Sequence, residues 1–354
     1  MRKIERSASR VNLLGLTFDQ LKSEFSQAGL TPLDAKRVFP WIHMKLAKSF
    51  DVMTDAPLRV RKILKENYSI DRPECAVLQK SSDGTQKALL KLEDENFIET
   101  VLIPEEKRTT VCVSSQIGCA MGCKFCRTGT QKFTRNLTAA EIISQVFFWK
   151  DLFPKTITNI VFMGMGEPLL NFENLSNALT LLLSEKAHNF SRHKITVSTS
   201  GIVENAIADL AKFGVKLAIS LHASDDEKRS SIMPVNRKYP MENVLRAAKE
   251  YLQNSNTSHI TFEYLLLRGA NDSDEDAIQL VKLLRSIKCR VNLILFNNWP
   301  GSSFSGSDRN KANNFSRLLL SRGIRAVVRK SRGEDILAAC GQLSTEQNRF
   351  NSRA

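Results

Sequence analysis

The sequence predicts an α/β fold: an incomplete, (β/α)6-type barrel preceded by a small helical N-terminal domain. Three observations carry this. Apolar runs of strand composition alternate with helical runs from about residue 111 to 330, the pattern of a parallel sheet with crossover helices. Polar and glycine-bearing residues follow directly after those strand runs, where a β/α sheet places its ligands. The first 75 residues lack the alternation and carry helical periodicity instead.

In chain order, "TFDQLKSEFSQAG" and "TPLDAKRVFPWIHMKLA" have apolar residues at helical spacing with Thr or Pro near their starts. They define residues 1–75 as a helical accessory domain. "QKALLKLED", "NFIETVLIP" and "TTVCVSS" are short strand-like runs separated by polar turns, giving a β-hairpin linker region over 76–110. The core, 111–343, then reads as strands "TVCVS", "NIVFMG", "KITVST", "KLAISL", "ITFEYLL", "VNLILF" and "RAVVRK" with helices between most of them. Thr138 and Glu141 form a capping box at the head of "AAEIISQVFFW". About six units suit an incomplete barrel; an open doubly wound sheet satisfies the same alternation. Residues 344–354 read as a polar tail.

The chain has 354 residues, enough for a sizeable core. No apolar run approaches a membrane span, and the charged start "MRKIERSASR" is followed by no apolar signal segment. The expectation is a cytoplasmic protein in no contact with a membrane. In a reducing compartment, the seven cysteines are expected to bind metal or do chemistry rather than form structural disulfides.

Three of them, Cys119, Cys123 and Cys126, are spaced C-x3-C-x2-C just after the first core strand. Three local thiols admit two readings. A structural zinc site wants four closed ligands, and Cys112 lies close enough in sequence to be the fourth. A 4Fe-4S cluster held on three irons leaves one iron open for a substrate. His222 in "SLHA" invites a metal-ligand reading, but a lone His at a strand end is more often a packing or hydrogen-bonding residue. Cys75 and Cys289 read as unreactive thiols.

The spacing, with Phe125 before the last cysteine, resembles the radical S-adenosylmethionine (SAM) superfamily, and "GMGEP" resembles that superfamily's glycine-rich motif. More narrowly, "CVSSQIGCAMGCKFCRTG", "GMGEPLLN", "VSTSG", "AISLHA", "MPVNRKYP" and "RGEDILAACGQL" together resemble the RlmN family of RNA adenine methyltransferases, over about residues 85–343. The related Cfr family shares the cysteines; Pro168, Leu169 and Leu170 after the glycine-rich motif favour RlmN.

The resemblance implies a radical SAM barrel with a 4Fe-4S cluster on Cys119, Cys123 and Cys126. It implies SAM contacts at Gly166, Glu167, Ser198, Ser220, Leu221, His222 and Asn297. Cys112 and Cys340 match the two catalytic cysteines, and Glu99 matches the position assigned as proton acceptor. The implied substrates are 23S rRNA near the peptidyl-transferase centre and tRNA at the adenosine following the anticodon. An electron donor such as flavodoxin is implied as a partner, and the chain is expected to act as a monomer.

The implied reaction explains the cysteines. Carbon 2 of adenine is electrophilic, so direct displacement of the SAM methyl cannot reach it. One SAM methylates Cys340, a second yields a 5′-deoxyadenosyl radical that takes hydrogen from that methyl, and the carbon radical adds to the ring. Loss of the ring proton and attack by Cys112 then release methyladenine and leave a Cys112–Cys340 disulfide. Arg329, Lys330 and Arg332 would favour a Cys340 thiolate where they point at it.

Net charge is +14. Residues 309–354 hold ten Lys/Arg against three Asp/Glu, among them Arg317, Arg322, Arg325, Arg349 and Arg353. "KFCRTGTQKFTR", residues 124–135, has four basic residues, no acid, and Phe125 and Phe133. Basic and aromatic residues together suit phosphate contact and base stacking. The rival readings are a non-catalytic RNA-binding protein with a structural Fe-S or zinc site, and a radical SAM enzyme acting on a small molecule or peptide. The basic segments argue against the second of these; their bland reading is that they confer solubility and bind nothing specific.

Overall fold

The computed structural model describes residues 10–154, 156–202 and 205–345. Most of the expected polar tail, including Arg349 and Arg353, lies outside the described residues. The chain packs as two compact units. Their division is not contiguous in sequence. The helical unit takes residues up to 73 together with 138–154 and 173–190.

In the helical unit, α1 (Phe18–Gln27) and α2 (Pro32–His43) start at capping boxes, Thr17 with Gln20 and Thr31 with Asp34. Helix α3 spans Leu58–Asn67. The expected capping box of α4 (Ala139–Leu152) is present on Thr138 and Glu141. Helix α4 groups with the N-terminal helices because backbone meets backbone there: a Cβ on Gly15 would lie 2.5 Å from Ala140 N. Arg72 adds a 2.6 Å ion pair with Asp151 of α4. The bulk of α5 (Phe172–Leu183) belongs to the same unit.

The second unit is built on a ten-stranded sheet whose strands lie side by side in chain order, with only the short pair Gln116–Ile117 and Arg135–Asn136 interposed as a separate two-stranded sheet. Strands β1 (Glu74–Lys80), β2 (Gln86–Lys91), β3 (Phe97–Glu105) and β4 (Arg108–Cys112) form an antiparallel meander. Strand β1 is an addition to the expected pattern: the boundary at residue 75 falls inside it. From β4 the sheet runs parallel through β5 (Asn159–Phe162), β6 (Ile195–Thr199), β7 (Lys216–Ser220), β8 (Ile260–Leu266), β9 (Cys289–Leu295) and β10 (Arg325–Val328). The order never reverses, so there is no topological switch point. The doubly wound alternative is excluded, and the unit is an incomplete barrel, open among the described residues between β10 and β1.

Side chains alternate across this sheet with period two. Val111, Ile160, Val197, Leu217, Ile219, Phe262 and Leu293 are fully buried. The intervening positions include Cys112, Asn159, Ser198, Lys216, Glu263, Arg290 and Asn292, and these line cavities. From β4 to β9, one face is mainly apolar and the other lines the cavities.

Candidate active site

Two adjoining cavities, about 170 and 390 Å³, share a wall that includes Cys126, Met163, Glu263 and Cys340. The first is lined by all three clustered cysteines and by Gly166, Glu167, Ser198, Ser220 and His222. The second is lined by Cys112, Asn297 and a set of basic residues, Arg108, Lys216, Arg290, Arg329, Lys330 and Arg332. Leu221 and Glu99 line neither.

The cysteine loop is turned and pinned by backbone contacts. Cys126 N donates to Cys123 O at 3.1 Å, Lys124 N to Ile232 O at 3.0 Å and Arg127 N to Gly341 O at 2.8 Å. Trp299 Nε1 donates to Phe125 O at 2.9 Å. Burial pushes all three thiols up, Cys119 to about 12, and the neighbouring thiols raise Cys119 and Cys123 further. Backbone N–H groups of Thr128 and Gly129 act the other way on Cys126. Such a group of crowded thiols favours a bound cation that removes their protons. Among the described residues, no three His, Cys, Asp or Glu side chains are placed to hold a single metal ion. All three thiols line the first cavity beside Gly166 and Glu167, and this donor set fits a cluster held on three irons with the fourth left open.

The opposite wall is rigid. Gly166 has φ +96°, and a Cβ there would lie 2.5 Å from Gln116 Cβ, so only glycine fits. Gln116 Oε1 accepts from Glu167 N at 2.8 Å. Glu167 is buried, accepts from Ser200 N and Oγ at 2.7 and 2.8 Å, and receives Leu169 N at 3.1 Å. Burial raises its carboxyl while these donors pull it down. Asn297 Nδ2 donates to Cys340 O at 3.4 Å, whereas its Oδ1 is buried with no partner. That orphaned acceptor suits an N–H or O–H of a bound ligand, the kind of group SAM carries.

His222 stands at φ +59° with its ring buried. Its Nδ1 accepts from Leu265 N at 3.0 Å, its carbonyl accepts from Asn271 Nδ2 at 2.7 Å, and its ring meets Phe125 edge-on at 4.9 Å. Burial pushes it down to about 3, so its ring is neutral and held in place on the cavity wall. Leu221 is fully buried and contributes through its backbone: its N donates to Glu263 O at 3.0 Å.

Cys112 and Cys340 are brought together. Cys112 packs with Val101, Met165, Ala338 and Leu343, the last two flanking Cys340. Burial and then Cys340 push its thiol up to about 12. Cys340 is exposed to the cavity, yet the enclosing walls and then Glu263 raise its thiol to about 11. The expected thiolate-favouring basic trio therefore reduces to Arg329, the one of the three that lowers it. Arg332 is turned away, donating to Pro104 O at 2.6 Å and Asp83 O at 3.0 Å. All seven cysteines are free, so the disulfide implied by the resemblance is not part of this structure. Cys75 and Cys289 lie on β1 and β9, away from both cavities.

Glu99 is buried rather than solvated: its Oε1 pairs with Lys87 Nζ at 2.8 Å, and its Oε2 accepts from Ser344 N at 2.7 Å. In the basic loop after the cysteines, Arg127 is buried and Arg135 pairs with Asp94 at 2.7 Å. Lys124, Lys132 and Phe133 remain exposed.

Two residues of the site were passed over in the sequence. Arg229 is fully buried and ties two strand ends together, donating to Ser200 O at 2.6 Å, Ser220 O at 3.0 Å, Leu221 O at 3.0 Å and Asn236 Oδ1 at 2.7 Å. Glu263 accepts from Asn292 Nδ2 at 2.9 Å and is raised by burial to about 7. The signal for Glu263 was an acid inside the apolar run "ITFEYLL".

An unclosed barrel with a three-thiol loop after its first parallel strand and a glycine-rich turn after its second defines a radical SAM enzyme. Residues 113–281 match the radical SAM superfamily model, and residues 11–70 match that of the ribosomal RNA large subunit methyltransferase N-terminal domain. The chain is 44% identical to the dual-specificity RNA methyltransferase RlmN of Paracoccus denitrificans, over 100% of this chain and 94% of that protein. It is 42% identical to the RlmN of Bradyrhizobium diazoefficiens, over 98% and 91%. A radical SAM methyltransferase from Sphaerobacter thermophilus superposes with a TM-score of 0.90 at 42% identity, covering 95% of this chain and 100% of that one. The chain belongs to the RlmN family of radical SAM methyltransferases.

Proposed function

We propose that this chain methylates carbon 2 of adenosine in RNA, in 23S rRNA near the peptidyl-transferase centre and in tRNA at the adenosine following the anticodon. Cys340 carries the methyl group, two SAM are used per turnover, and Cys112 resolves the protein–RNA adduct. The observation that carries this reading is the shared wall: Cys340 faces the cavity of the three clustered thiols and the cavity of Cys112 at once.

The cluster and SAM, when bound, supply the one-electron chemistry that removes hydrogen from a methyl group. Cys119, Cys123 and Cys126 would hold three of the irons. Glu167, fixed by Ser200, and the free acceptor of Asn297 would orient SAM, with Gly166, Ser198, Ser220, Leu221 and His222 shaping its wall. Adenine hides carbon 2 while stacked, so the base must be splayed out to enter. The basic residues of the second cavity and the exposed Lys124, Lys132 and Phe133 suit the phosphates and bases around it. The chain acts in the cytoplasm as a monomer, and its reductant is an electron donor such as flavodoxin. No described helix is long and apolar enough to cross a membrane.

Anaerobic reconstitution followed by labelled SAM with separate rRNA and tRNA tests this. Label on carbon 2 of adenine in both RNAs, and loss of iron and of SAM cleavage in a variant with Cys119, Cys123 and Cys126 all changed to Ala, are expected. About four iron atoms per chain retained by that variant, or SAM cleavage with no RNA labelled, would overturn it.

A further inference from the structure

We propose that Glu263, set by Asn292, reads the Watson–Crick edge of the target adenine, accepting from its 6-amino group and donating to its N1. The proposal rests on the reading that carbon 2 of adenosine in RNA is methylated, and it adds the residue that selects the base.

Three neighbouring strands place the pair. Ser220 of β7 stands opposite Glu263 of β8, and Glu263 stands opposite Asn292 of β9. Along β8 the side chains alternate between faces. Thr261, Glu263 and Leu265 line the cavities, while Phe262 and Tyr264 are fully buried. Ser220 lines the cavity of the three clustered thiols, Asn292 lines the cavity of Cys112, and Glu263 lines both. Glu263 thus stands where the two cavities meet. Cys340 is its neighbour there: after burial, Glu263 is the largest influence raising that thiol.

The carboxyl suits a neutral base. Asn292 Nδ2 donates to its Oε1 at 2.9 Å, which marks Oε1 as the acceptor oxygen. Oε2 has no partner among the described residues. Burial raises the group to about 7 against the pull of Asn292 and Arg329, so Oε2 can hold a proton to donate. The other carboxyls lining the cavities are taken, Glu167 by Ser200 and Leu169 and Glu105 by Arg108. A planar group with an acceptor beside a donor matches the amino group and N1 of adenine, and a splayed-out base is read on that edge. The cations of the cavity, Lys216, Arg290 and Arg329, have no acceptor to offer the amino group. N1 is bonded to carbon 2, so pairing there brings carbon 2 to the wall that Cys340 shares. A donor on N1 also draws electron density from the ring, which favours addition at an electrophilic carbon.

The test uses the reconstituted holoenzyme and an RNA with purine ribonucleoside, which lacks the 6-amino group, in place of the target adenosine. Wild type should prefer adenosine by about 10- to 100-fold in kcat/KM, the scale of one buried group left unpaired. In Glu263→Ala that preference should vanish, and in Asn292→Ala it should be reduced. Glu263→Gln offers an acceptor and a donor in the same plane, so it should be slower than wild type yet keep the preference. SAM carries an adenine with the same edge, so SAM affinity and methylation of Cys340 are measured alongside, and both should hold in all three variants.

A wild type indifferent to the amino group, or a preference retained in Glu263→Ala, overturns the proposal. So does a Glu263→Gln as indifferent as Glu263→Ala, which would mark a base rather than a reader. Loss of SAM binding in the Glu263 variants overturns it too, by assigning the carboxyl to SAM. Should Glu263→Ala fail to fold, Glu263→Gln and Asn292→Ala decide: preference kept in the first and reduced in the second supports the proposal, and any other pair of results overturns it. Absence of label on carbon 2 with wild type and unmodified RNA would instead overturn the reading on which it rests.

Discussion

Cys112 and Cys340 open on one cavity from separate parts of the chain, the end of β4 and the segment after β10. Cys112 packs on Ala338 and Leu343, and a charge on Cys340 contributes to raising its thiol. Two free thiols sharing a cavity with different surroundings suit two different tasks. Cys340 faces the three-thiol cavity and is exposed; Cys112 is buried behind it. Cys340→Ala should bind SAM and RNA and transfer no methyl. Cys112→Ala should methylate Cys340, add to the adenine and stall, so RNA stays attached on a denaturing gel until nuclease treatment. A Cys112→Ala variant that turns over without attached RNA would return Cys112 to a packed strand residue.

Arg229 makes a separate prediction on stability. Its guanidinium satisfies the carbonyls of Ser200, Ser220 and Leu221 at once. Arg229→Leu leaves those acceptors buried, at about 1–3 kcal/mol each where water cannot reach them. The variant should lose about 3 kcal/mol or more of unfolding free energy, measured by urea titration of the apoprotein. SAM affinity should weaken with it, because Ser200 also holds Glu167. Arg229→Lys should recover little, since an ammonium lacks the planar fork that spans strand ends. Loss of under about 1 kcal/mol in Arg229→Leu would show that water replaces the guanidinium.

The strands and the thiol loop were legible because their signals are local. Alternation, turn residues and the C-x3-C-x2-C spacing all sit within a few positions of the feature they specify. Strand β1 was not, since "ECAVLQK" is half exposed with every second residue facing solvent, which weakens its apolar signal. Arg229 and the Lys87–Glu99 pair were invisible for a different reason. A buried charge reads as a surface charge until the chain brings its partners from distant positions, as Ser200 and Ser344 are brought here. The open choice between barrel and doubly wound sheet was likewise one of strand order, which no single segment encodes.

His43 carries the pH prediction. Its ring is buried in the helical unit among Phe39, Phe147 and His188, and neither ring nitrogen has a partner. Burial, and then Lys150, push it down to about 3. The unfolded chain therefore takes a proton near pH 6.5 that the folded chain refuses. Stability from this group is full above pH 6.5 and is lost as pH falls toward 3. His43→Leu removes that dependence and breaks no hydrogen bond. Relative to wild type, the variant should gain about 1.4 kcal/mol per pH unit below 6.5, read by denaturant titration between pH 7 and pH 4.5. Taking the difference cancels the opposite contribution of Glu263, whose raised carboxyl holds a proton more tightly in the folded state. Parallel pH dependences in the two proteins would mean that His43 is solvated or already charged when folded.

RNA affinity should fall steeply with salt, and the exposed basic residues of the last α-helix and the last strand should own part of the slope. Arg317 and Arg322, on and just after the helix Arg309–Ser321, and Arg325 at the head of β10, are exposed. Each phosphate contact they make releases counterions, so each replacement that removes a contact should lower the slope of log K against log salt by about 0.7–0.9. Arg332 is the internal contrast. It lines the same basic cavity as Arg329 and Lys330, but its guanidinium is held by Asp83 and Pro104. Arg332→Gln should therefore leave the salt slope unchanged while reducing stability, because it strands two backbone acceptors. Binding isotherms on a single-stranded RNA at several salt concentrations separate the two classes. If the triple variant of Arg317, Arg322 and Arg325 to Gln binds with the wild-type slope, that surface serves solubility and the phosphates lie along the cavity residues Arg108, Lys216, Arg290, Arg329 and Lys330 instead.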